Sequence, residues 1–269
     1  MKGIWPSIRH LDKPNMNKGV TAGRIIYATG IFGLAVVCII SKDFIVGRPP
    51  AWPAGFHINP TFAWITAILL MVCAVKILLN RNARMAAFGI AALIFFFSVL
   101  RHLPVFMNDW ANAYKSLALA GGSLIIGCSF PKRVVRPGSR IDHILITTGV
   151  IFLAAFFIVA GYAHFKFAEF VDTLIPAYIP LHRFWTYFCG VCLLAGGIGL
   201  LIPQTRRLAA LLSAIMVLGW FLLLHIPRFL SNVNDASDRM GLFESFTFVG
   251  IFFVLAGISS GSAKQTRQL

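Results

Sequence analysis

The feature that most constrains this chain is a series of long apolar runs, each bounded by basic residues or by Pro and Gly. Eight are present, at 24–45, 61–80, 85–106, 113–130, 143–164, 182–202, 208–228 and 241–260. Each is close to the roughly 20 residues that carry a helix across a hydrocarbon core. The chain is 58% hydrophobic and only 12% charged, against about 25% charged in soluble domains. The expected fold class is therefore all-α: a polytopic membrane protein with eight transmembrane helices. No loop is long enough to form a soluble domain, so the net charge of +15 does not point to nucleic acid. The expected partner is the lipid bilayer.

The basic residues mark the sides. If the eight runs alternate, the loops away from the termini hold Lys42, Arg48, Arg101, Lys115, Lys166, Arg183, Arg228 and Arg239. That is 8 of the 24 Lys and Arg residues, so the other 16 share the side of the termini. Cytoplasmic loops collect Lys and Arg. The expectation is a multi-pass protein of the inner (cytoplasmic) membrane with both termini cytoplasmic, its first run an uncleaved signal-anchor.

The chain also aligns with itself. At an offset of 123, positions 41–106 match 164–229 without a gap, with 13 of 66 pairs identical. Identical pairs include Arg84/Arg207, His102/His225 and Pro104/Pro227. After an insertion the register resumes at an offset of 129, pairing Ser116 with Ser245 and Gly121 with Gly250. Four helices return the chain to its starting side. Two such repeats are parallel, related by a pseudo-two-fold axis along the membrane normal. The expected organisation is an N-terminal cytoplasmic segment 1–23, a first four-helix repeat 24–130, a basic linker 131–142, a second repeat 143–260 and a tail 261–269. The two bundles are expected side by side.

The second repeat carries Gly161-Tyr162-Ala163-His164-Phe165, Glu169-Phe170, Leu174-Ile175-Pro176-Ala177-Tyr178-Ile179-Pro180, Gly196-Gly197-Ile198-Gly199 and Thr205-Arg206-Arg207. Over about 145–230 these resemble the DoxX / DoxX-like family of four-helix membrane proteins. The resemblance implies a four-helix fold and an association with membrane redox and sulfur chemistry, hence a membrane redox partner. An acidic residue that family members often carry before the paired glycines is replaced here by Cys192-Leu193-Leu194-Ala195.

Five polar positions stand out as site candidates. His102 and His225 each lie 18 residues beyond a matched Arg, about 27 Å along a helix, near the outer hydrocarbon boundary. Each precedes a proline by two residues. The ring either hydrogen-bonds a carbonyl freed by that proline or faces a shared outer cavity, where it would contact a quinone or a haem. His164, the histidine of the DoxX-like segment, is a third cofactor-binding candidate. Lys115 and Glu244 occupy matched positions in the fourth and eighth runs, where an ionisable group is costly unless paired. They are an ion-pair candidate. Cys189 and Cys192 have CxxC spacing, but inside a helix where disulfide geometry is poor. Trp52, Trp64, Trp110, Trp185 and Trp220 read as interfacial anchors, and the Pro-rich outer loops as short segments covering the bundle mouth. No metal-ligand motif is present. Three function classes remain: a redox-associated binder of a quinone or other lipophilic cofactor, a transporter or binder of a small molecule at the repeat interface, and a non-catalytic scaffold.

Overall fold

The structure is a computed structural model that describes residues 18–52, 59–131 and 140–265, with side chains described as far as Ser259. Most of segment 1–23, much of the linker 131–142 and the end of the tail 261–269 lie outside the described residues.

All regular structure among the described residues is helical. The long helices are α1 (Lys18–Ser41), α2 (Pro60–Leu78), α3 (Ala83–His102), α4 (Trp110–Ser129) and α5 (Arg140–Lys166). The short α6 (Ala168–Leu174) precedes α7 (His182–Leu201) and α8 (Arg206–Trp220). A π-turn, Phe221–His225, leads into α9 (Ile226–Ser231), and α10 (Ala236–Gln265) is the last described helix. Seven spans are long and apolar enough to cross a membrane: α1, α2, α3 with its 3₁₀ extension, α5, α7, the run from α8 through α9, and α10. This is a multi-pass membrane protein.

The helix expected at 113–130 is present as α4, but it is not among those seven. Asn112, Lys115 and the run Gly121-Gly122-Ser123 lower its hydropathy. The cause is its position: α4 packs on α3, α5 and α10 and buries Ala118, Leu119, Ser123, Ile125 and Ile126. A helix enclosed by other helices has no need of a lipid-soluble surface.

The helices interlock rather than forming two separate bundles. α1 packs most extensively on α10, and α5 packs on α4 as well as α7. Glycine permits both close crossings. A Cβ on Gly250 would lie 2.4 Å from the backbone nitrogen of Tyr27, and one on Gly149 would lie 2.4 Å from the carbonyl oxygen of Gly121. Small residues at such contacts let helix backbones approach in lipid. α1 runs antiparallel to α10, with Gly23 at Gly250 and Gly33 at Phe243. The first and last described residues therefore share one side, where Arg84 pairs with Asp142 at 2.5 Å.

On the far side the first half is filled. Arg101 is 3% exposed. It donates to Asp43 at 2.9 Å and to the Phe44 carbonyl at 2.8 Å, and its guanidinium lies 4.4 Å from the Trp52 ring centroid. Phe44 stacks on Phe97 at 4.1 Å. Trp52, expected from sequence as an interfacial anchor, is half-buried against this cluster. Its Nε1–H donates to Asp43 at 3.0 Å.

Candidate functional site

The second half has no counterpart to that plug. Leu224 stands where the offset of 123 places the equivalent of Arg101, and Ile175 stands at that of Trp52. The interior on the far side remains open as a cavity of about 350 Å³. That is within the range of small-molecule sites, roughly 300–1,000 Å³. Its walls come from α5, α6, α7, α8, the π-turn and α10, with Lys115 reaching in from α4 and Arg48 from the α1–α2 loop. Phe157, Leu193, Met216 and Phe248 form apolar wall; Trp185 and Trp220 stand edge to face, centroids 5.9 Å apart.

The polar groups are ordered by charge. Lys115 Nζ lies 3.1 Å from Glu244 Oε2, so the structure brings this candidate pair together. Glu244 also accepts from the Gly47 backbone N–H at 2.8 Å, and Arg48 Nε is 3.9 Å away. Arg228 pairs with Asp238 at 2.7 Å and donates to the Leu174 carbonyl. Three cations thus face two carboxylates around the cavity. A buried carboxylate in such company is compensated rather than orphaned.

His225 and His164 both line the cavity. Pro227 cannot donate to the carbonyl four residues back, Leu223, and the Tyr178 hydroxyl donates to that oxygen instead. The helix absorbs the proline through the π-turn, a form that recurs at functional sites. His225 is thereby released from the structural task that its sequence position allowed it. Among the described residues nothing hydrogen-bonds its ring. Gly241 leaves room for it: a Cβ there would lie 3.0 Å from His225 Nδ1. His164 Nδ1 is 2.7 Å from the Ala160 carbonyl oxygen. A carbonyl only accepts, so Nδ1 carries the hydrogen and Nε2 of the neutral ring is an acceptor.

His102 does not line this cavity. Its helix ends in a 3₁₀ turn, Leu103–Val105, so the near-identical His-x-Pro segments take different shapes. The His102 ring is buried with Nδ1 3.3 Å from Asp109, and Nε2 has no hydrogen-bond partner among the described residues. Lys115 is near enough for its charge to act on both His102 and His225, yet the two rings do not share one chamber. A haem held between them does not fit this arrangement. Among the described residues no three His, Cys, Asp or Glu side chains cluster to hold a metal ion.

Cys189 and Cys192 form no disulfide. The indole N–H of Trp220 donates to Cys189 Sγ at 3.1 Å, which makes Cys189 part of the cavity wall. Arg48 and the Trp185–Trp220 pair were not singled out as site residues from sequence. Arg48 had been counted as loop charge. The tryptophans had been read as anchors, because hydropathy does not separate an inward from an outward indole.

Residues 153–239 match a family model described as Domain of unknown function (DUF8561). The matched stretch runs from α5 to the start of α10 and includes His164 and His225, but neither Lys115 nor Glu244. No curated protein and no solved structure matches the chain.

Proposed function

We propose that this protein is a DoxX-like inner-membrane binder of a quinone or a similar lipophilic cofactor, associated with membrane redox chemistry, and that the cavity of the second half is its site. The observation that carries the reading is the His225 ring. It opens on an apolar, aromatic-walled cavity with no hydrogen bond of its own among the described residues. A ligand carbonyl or hydroxyl in the cavity supplies the hydrogen bond that this half-buried ring lacks among the described residues. His164 Nε2 supplies the complementary acceptor, suited to a quinol hydroxyl.

The same proposal includes eight spans in two parallel four-helix repeats, with the site on the outer face and both termini cytoplasmic. The packing supports it. α1 meets α10 through Gly23 and Gly250, and α5 meets α4 through Gly149 and Gly121, as a pseudo-two-fold operation on each pair requires. α4 then crosses the membrane inside a sheath of other helices.

The test is to purify the protein from its native membrane and quantify quinone in the lipid extract. Stoichiometric quinone that disappears in His225→Phe, with the thermal transition retained, is the expected outcome. A quinone-free wild type that also fails to bind added quinone overturns the reading. A second reading, a small-molecule transporter, draws support from Lys115 and Arg48, which bring both halves to the cavity. Uptake by proteoliposomes of a polar solute, without quinone, favours it.

A further inference from the structure

The cavity is separated from the membrane-facing surface by a wall one side chain thick. Outside the bundle, an apolar groove runs between α7 and α8. Trp185, Cys189, Met216 and Trp220 line the inner cavity and this outer groove alike. The groove itself is made by exposed residues such as Phe188, Ile198 and Leu212. At its base Gly219 leaves a notch: a Cβ added there meets nothing within 4 Å. The matched position of the first half, Phe96, carries a ring that is 57% exposed. Gly219 of the second half thus leaves open what the Phe96 ring occupies in the first, and two tryptophans stand between that notch and the cavity.

From this juxtaposition we propose that the gap between α7 and α8 is a lateral portal. The ligand's polar head sits in the cavity, its hydrocarbon tail lies in the groove beside Gly219, and the Trp185–Trp220 pair is the gate that the molecule passes. The inference rests on the quinone reading and narrows it to a ligand with a long tail, entering from the bilayer. Trp220 is suited to gating. It is the last residue of α8, and the π-turn that follows it interrupts the regular helix ladder. Its indole N–H donates to sulfur, a weak acceptor, and its ring meets Trp185 edge to face.

The experiment compares two probes on the full chain in nanodiscs, a tail-free methyl-naphthoquinone and its phytyl-tailed form, with binding read by tryptophan quenching. Gly219→Phe places in the second half the residue that the first half carries, filling the notch without touching the cavity. Leu212→Trp, at a groove position 56% exposed, does the same from higher on α8. The expected result is a loss of about tenfold or more in affinity for the tailed probe, with tail-free binding unchanged, in whichever variant retains the wild-type thermal transition. Equal loss of both probes, or loss of neither, overturns the portal while leaving the cavity as a quinone site. A wild type that binds neither probe overturns the quinone reading and the portal with it.

Discussion

His225 and His102 occupy matched positions in near-identical segments, and their surroundings separate them. Tyr178 takes the carbonyl that Pro227 frees, so the His225 ring has no structural duty. Tyr178→Phe removes one hydrogen bond and is expected to cost about 1 kcal/mol. It also offers His225 the vacated carbonyl, so quinone binding falls alongside a small drop in melting temperature. At Glu244 the stakes are larger. Glu244→Leu leaves Lys115 and Arg48 facing a cavity without their carboxylate, and removing one partner of a buried pair costs about 3–5 kcal/mol. The double variant Lys115→Leu, Glu244→Leu is expected to recover much of that loss in a thermal-shift assay in detergent. A double variant that melts no higher than Glu244→Leu alone would show that the two side chains are not coupled. Lys115 and Glu244 were legible as a pair because polarity in an apolar run is conspicuous. Arg101 and Asp43 were not, since a charge near a run's end reads as loop until the fold turns it inward.

Glycine lets helix backbones approach closely at the crossings of α1 with α10 and of α5 with α4. Gly250 is one such case, with backbone of α1 at 2.4 Å from where its Cβ would be. Gly250→Ala forces α1 and α10 apart. Overpacking of this kind costs about 1–3 kcal/mol, and a lowered melting temperature is expected. Gly219→Ala faces open space and gains helix propensity of about 1 kcal/mol, so it is expected to melt at or above wild type. Hydropathy located the long helices, although α1 starts at Lys18 rather than at 24 and α10 runs over Ala236–Gln265 rather than 241–260. α6 escaped that reading: Ala168–Leu174 is seven residues long, too short for any periodic signal. Val171 and Leu174 of α6, with Ile175 just beyond it, line the cavity. The asymmetry between an occupied first half and an open second half was also illegible, since it depends on which neighbours Arg101 and Trp52 reach.

For the molecule as a whole, the expectation of bundles set side by side gives way to an interlocked arrangement in which α1 leans on α10 and α4 on α5. Its prediction concerns the linker. A chain cut between 131 and 140 and expressed as two pieces is expected to yield stable protein only when both pieces are made together. Co-purification of the pieces, and proteolysis of each one made alone, check it. Two separately stable halves would contradict the interlock. A consequence follows for biosynthesis. α1 enters the bilayer well before its main neighbour, α10, leaves the ribosome. With about 200 residues still to be translated at roughly 5–20 residues per second, the glycine-lined face of α1 stays in lipid for on the order of ten seconds or longer. Any degradation machinery that surveys nascent membrane helices therefore meets this protein in its most vulnerable state before α10 arrives.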